Sequence, residues 1–130
     1  MTMETNNPEP VVVPVPQPAA VVEPKVSIDE FKKFKIVVGQ IKEAALHPNA
    51  DKLFVVKVDI GAEVRQLVAG IRRSYTPEQL VGRRVVVVAN LLPAVIRGVE
   101  SQGMILAASD EQGISVLAPD RDVALGSGVK

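Results

Sequence analysis

Residues 82–104 read GRRVVVVANLLPAVIRGVESQGM. Arg83 and Arg84 open a fully apolar run, Val85-Val86-Val87-Val88-Ala89, which reads as a buried strand. Asn90-Leu91-Leu92-Pro93 breaks it with turn-forming residues. Ala94-Val95-Ile96 is a second short apolar piece and leads into Arg97-Gly98. The segment closes on Ser101-Gln102-Gly103-Met104. A strand with such residues at its far end places polar contact groups at the mouth of a β-structure.

Upstream, the same alternation recurs. Residues 52–60 read as a strand with Phe54, Val56 and Val58 on one face and Leu53, Val55 and Lys57 on the other. Gly61-Ala62-Glu63 turns the chain into a strand over residues 64–69, so residues 52–69 form a hairpin. A first strand covers residues 36–41, and Gly39 in its middle predicts a bulge or sharp bend. Between them His47-Pro48-Asn49-Ala50-Asp51 is a loop. Ser27 and Glu30 have capping-box spacing and predict a short helix to about Lys33, with Ile28, Phe31 and Phe34 turned inward. Thr76-Pro77-Glu78-Gln79 predicts a second short helix, which Gly82 ends. Downstream, residues 104–108 and 114–117 read as further strands. Five or six strands, with a short helix between the third and fourth, predict an all-β chain. The architecture expected is a five-stranded OB-fold barrel with short helices and a C-terminal β extension.

The first 26 residues hold six of the ten prolines and no glycine. Proline lacks the amide donor and clashes with the preceding helical turn. Residues 1–26 are therefore expected to be a disordered, semi-rigid linker, and residues 27–130 the domain.

The chain of 130 residues carries 15 basic and 15 acidic side chains, so net charge names no partner. The distribution is more telling: residues 31–97 hold 12 Lys/Arg against 5 Asp/Glu, a surplus suited to a polyanion. There is no cysteine, which removes disulfides, thiolate metal sites and cysteine nucleophiles. No run approaches the roughly 18 apolar residues of a membrane span, and a cytoplasmic location is expected.

Catalytic constellations do not emerge. Ser101 does not lie in a Gly-x-Ser-x-Gly elbow. No Gly-Lys-Ser/Thr phosphate loop occurs. The single histidine, His47, has no companion ligands for zinc and reads as a turn-packing residue. An enzyme is not expected.

The ordered motifs His47-Pro48-Asn49-Ala50-Asp51-Lys52-Leu53, Gly70-Ile71, Asn90-Leu91-Leu92-Pro93 and Ser101-Gln102-Gly103-Met104 resemble those of the tRNA-binding domain family. That family includes the C-terminal domain of bacterial methionyl-tRNA synthetases and free-standing structure-specific tRNA-binding proteins. The resemblance spans about residues 28–130. It implies an OB fold that dimerises through its C-terminal extension and binds the outer corner of tRNA by shape. It also implies service to a methionyl-tRNA synthetase, and no cofactor, metal, membrane or DNA partner. The only aromatics are Phe31, Phe34, Phe54 and Tyr75. The phenylalanines read as core, which suits phosphate and 2′-hydroxyl contacts better than base stacking.

Carried over by position, the binding face comprises Lys52 and Arg97 against phosphates, Asn90 and Ser101 as hydrogen-bonding groups, and Met104 shaping the surface. Family members often carry lysine or arginine where Leu92, Ala94, Val95 and Val37 stand here. Arg72, Arg73, Arg83 and Arg84 are expected to substitute. The apolar turn also admits a peptide-binding, chaperone-like OB dimer, or a dimerisation domain whose RNA contacts have decayed.

Overall fold

The computed structural model describes residues 23–130. The linker expected over residues 1–26 lies, as far as residue 22, outside the described residues. In chain order the elements are α1 (Ile28–Phe31), β1 (Ile36–Leu46), β2 (Phe54–Asp59), β3 (Val64–Ala69), α2 (Pro77–Leu80), β4 (Arg84–Val88), β5 (Ala94–Ile96), β6 (Val99–Ser101), β7 (Met104–Ile105), β8 (Ala107–Asp110) and β9 (Gly113–Val116).

Five strands form one antiparallel sheet in the order β3-β2-β1-β4-β7. The two edges of this sheet approach each other, as a barrel requires. The seam is made largely by side chains. Gln102 N donates to Gln66 O at 2.8 Å, Gln66 N donates to Gln102 Oε1 at 3.1 Å, and Val68 N donates to Ser101 Oγ at 3.0 Å. The result is a nearly closed OB-like barrel. The core alternation is as the sequence predicts: Phe54, Val56 and Val58 of β2 meet Leu67 of β3, Ile41 of β1, and Val85 and Val87 of β4. Val86 and Val88 are buried as well. The unbroken valine run therefore reflects a strand covered on both faces.

Both capping boxes form. Thr76 Oγ1 accepts from Gln79 N and the Gln79 side chain returns to Thr76 N. Leu80 of α2 is fully buried. Ser27 and Glu30 make the same reciprocal pair on α1.

Several expectations need correcting. Helix α1 buries no residue; Ile28, Phe31 and Phe34 are exposed rather than turned inward. Gly39 makes no bulge. It pairs regularly with Val85, and the register shift falls between Ile41 and Glu43. The glycine is needed for close approach, since a Cβ there would stand 2.6 Å from Val58 Cγ1 and 3.1 Å from Asp59 O. The strand itself runs on to Leu46. Residues 104–108 are not one strand: Leu106 N bonds Val86 O and its carbonyl accepts from Leu117 N. The chain changes partners there, from β4 to β9.

Residues 99–101 form a strand that the sequence reading lacks. Strand β6 pairs with β5 across Ile96 and Val99. Arg97 (φ 53°) and Gly98 (φ 88°) make the two-residue turn, and positive φ at both positions is the type I′ signature. The expected C-terminal extension is the β8–β9 hairpin, together with a bridge from Gly128 to Val37 of β1.

Candidate nucleic-acid interface

In OB folds the loop after the first strand and the loop before the last barrel strand frame the oligonucleotide face. Here these are residues 47–53, the β1–β2 loop, and residues 89–103, which carry the β5–β6 hairpin. The two are fastened together. His47 is buried, its Nδ1 accepts from Asn49 N at 2.9 Å, and its Nε2 lies 3.0 Å from Ile96 O. Asn49 Nδ2 donates to Arg97 O at 3.2 Å, and Arg97 Nη2 donates to Asn49 O at 3.3 Å. Lys52 and Arg97 are both exposed. Among the described residues neither is in an ion pair. Two cations thus sit on adjoining loops, with no carboxylate of the described residues in salt-bridge contact with either.

The other candidates are placed differently. The Asn90 side chain faces back along the chain: Oδ1 accepts from Lys35 N at 2.8 Å and Nδ2 donates to Lys33 O at 2.6 Å. It latches the residues after α1 to the end of β4. Ser101 is only 3 % exposed. Its hydroxyl accepts from Val68 N and donates to Gly103 O at 3.0 Å, so it positions the seam. Met104 is 46 % exposed and lines an apolar groove of ≈ 560 Å³ with Leu91, Leu92, Ala94 and Ile96. Leu92 is 90 % exposed.

The four substitute arginines lie in two stretches of the chain. Arg73 borders a polar recess with Ser74, Asp110 and Gln112, and Arg72 is half-buried beside it in the chain. Arg83 precedes β4 and Arg84 opens it; the strand's other end meets Met104 through Val88. That separation is about 13 Å at strand rise. Arg83 donates to Gln79 O at 2.8 Å and lies 5.2 Å from the Tyr75 ring centroid, a cation–π geometry. Arg84 donates to Val123 O at 3.0 Å and stands 3.7 Å from Asp122.

Two residues, Gln66 and Arg65, had no role in the sequence reading, and Gln102 entered it only as part of a motif. Gln66 and Gln102 make the seam. Arg65 donates to the carbonyls of Ala89 and Gln102 and ties β3 to the arm that follows β4. The signal available for them was the motif around Gln102; nothing local marks Arg65. Among the described residues no three His, Cys, Asp or Glu side chains are grouped to hold a metal ion, and no helix is long and apolar enough to cross a membrane.

Comparison with known proteins gives the family and the fold of the relatives. The model of a family described as putative tRNA binding domain matches residues 36–128. The methionine–tRNA ligase of Thermococcus kodakarensis is 56 % identical over 105 residues, covering 81 % of this chain and 14 % of the ligase. The chain therefore spans only about a seventh of the length of such relatives. Among solved structures, the MetRS related protein from Pyrococcus horikoshii superposes with a TM-score of 0.77 at 37 % identity, over 83 % of this chain and 100 % of that one. The CsaA chaperone protein from Picrophilus torridus superposes with a TM-score of 0.77 at 26 % identity, over 82 % and 100 %.

Proposed function

The chain belongs to the putative tRNA-binding domain family, and from that membership we propose that it is a non-catalytic module that binds the outer corner of tRNA and assists a methionyl-tRNA synthetase, in cis or in trans. The observation that carries this reading is the fastened pair of loops presenting Lys52 and Arg97. Its kinship with a segment of methionine–tRNA ligases supports a methionyl-tRNA synthetase as the enzyme it serves. Exposed cations on hydrogen-bonded loops suit phosphate contacts, which position an RNA without reading its sequence. A second site that holds tRNA near a catalytic domain raises the local concentration of the substrate there.

Filter binding of tRNA at two salt concentrations tests it. If about four phosphates are neutralised, log affinity falls with log salt at a slope of about −3. Salt-independent retention, or aminoacylation by the isolated chain, would falsify the proposal.

The homodimer belongs to the same reading. Ile28, Phe31 and Phe34 of the α1 region line an apolar groove with Val37 and Val129. A face of this kind, left open beside the C-terminal segment, suits a second copy. A peptide-binding role is the second reading. It is favoured by the apolar groove around Leu92 and Met104 and by the likeness to a chaperone structure. Salt-insensitive retention of an unfolded polypeptide, with no tRNA shift, would select it.

A further inference from the structure

Three side-chain hydrogen bonds join the β1–β2 loop to the β5–β6 hairpin, and an imidazole makes one of them. Among the described residues no backbone-to-backbone hydrogen bond links residues 47–53 to residues 94–101; side chains do it all. His47 is 4 % exposed, and both of its ring nitrogens are engaged. A backbone N–H can only donate, so the bond from Asn49 N makes Nδ1 the acceptor and leaves the proton on Nε2. Nε2–H then donates to the Ile96 carbonyl, one residue before the Arg97-Gly98 turn. The Asn49-to-Nδ1 bond closes the loop on itself as an Asx turn does, from side chain i to backbone i+2. The Nε2 bond does something an asparagine at that place cannot, because it reaches across to the hairpin.

We propose that His47, as its Nε2–H tautomer, is a positioning residue for RNA binding: it sets the hairpin against the loop so that Lys52 and Arg97 meet the phosphate backbone as one surface. This rests on the tRNA-binding reading above. The two cations lie on separate loop connections, and ordering each of them at the moment of binding would subtract from affinity. The imidazole makes that ordering a property of the free protein. Asn49 is the second fastener, through its amide to Arg97 O and its carbonyl to the Arg97 guanidinium.

The test separates the two nitrogens. His47→Asn keeps the Asx-type closure and loses the bond to Ile96. His47→Gln places its amide where Nε2 stands and keeps the reach to the hairpin. Compared at equal folded fraction by circular dichroism, His47→Asn is expected to weaken tRNA retention about fivefold, the worth of one net hydrogen bond. His47→Gln is expected to stay closer to the parent chain. Equal retention by His47→Asn and the parent, or equal losses in both variants, overturns the proposal. Should His47→Asn fail to fold, Asn49→Ala removes the Nδ2 bond to Arg97 O and leaves the backbone carbonyl of residue 49 to the Arg97 guanidinium; weakened binding supports the joint and unchanged binding overturns it. Imidazole ¹⁵N resonances of the free parent chain give a readout independent of RNA. An Nε2–H signature is expected, and an Nδ1–H signature overturns the assignment. If that signature is present and the parent chain does not retain tRNA, the tRNA-binding reading is what fails, and the role of His47 in RNA binding falls with it.

Discussion

At the residue scale, two small side chains carry more than their size suggests. Gly39 stands against β2, with Val58 Cγ1 2.6 Å from the position of a Cβ. Gly39→Ala must push valine or backbone aside in a packed barrel. Urea unfolding is expected to show a loss of about 1–3 kcal/mol, and an unchanged midpoint would refute the close-approach explanation. Ser101 is the second case. Removing its hydroxyl strips Val68 N–H of its acceptor and Gly103 C=O of its donor in a buried seam. Ser101→Ala is expected to cost about 1–3 kcal/mol. Its tRNA retention at full folding should stay near that of the parent chain, because the hydroxyl does not reach the surface. The motif made Ser101 visible in the sequence as a contact group. Its burial depends on β3 lying against residues 101–103, which no local pattern announces.

At the element scale, the two capping boxes make a natural comparison. They share the same reciprocal hydrogen bonds, and both were legible from spacing alone. Helix α2 plants Leu80 in the core, whereas α1 buries nothing. Thr76→Ala is therefore expected to lower global stability by about 1 kcal/mol in a thermal melt. Ser27→Ala is expected to leave the midpoint unchanged at concentrations where the chain is monomeric, since α1 frays without unfolding the barrel. Equal shifts in the two variants would show that α1 is coupled to the core. The β5–β6 hairpin was the element most easily missed. Its strands are three residues each, too short for alternation to declare them. The turn residue Arg97 has none of the glycine or asparagine character that a type I′ first position favours. Its conformation is held by Asn49, 48 positions away.

At the scale of the whole molecule, the open face is the groove between the α1 region and the C-terminal segment. Phe31→Asp together with Phe34→Asp is expected to shift sedimentation from dimer to monomer while leaving the barrel melt intact, because neither side chain belongs to the core. A monomeric parent chain would sink the dimer proposal. The sequence by itself determined the strand alternation, the β2–β3 hairpin, both caps and the family motifs. The alternation, the hairpin turn and the caps are written in spacings of two to four residues, where sterics and local hydrogen bonds decide. Only the tertiary structure decided which apolar faces are covered. Phe54 is buried and Phe31 is not, though both are phenylalanines in apolar patterns, because burial depends on what the distant chain packs against. It likewise decided that His47 joins two loops 49 positions apart. A side chain's hydrogen-bonding capacity can be read from its type, but its partner is chosen when the barrel closes.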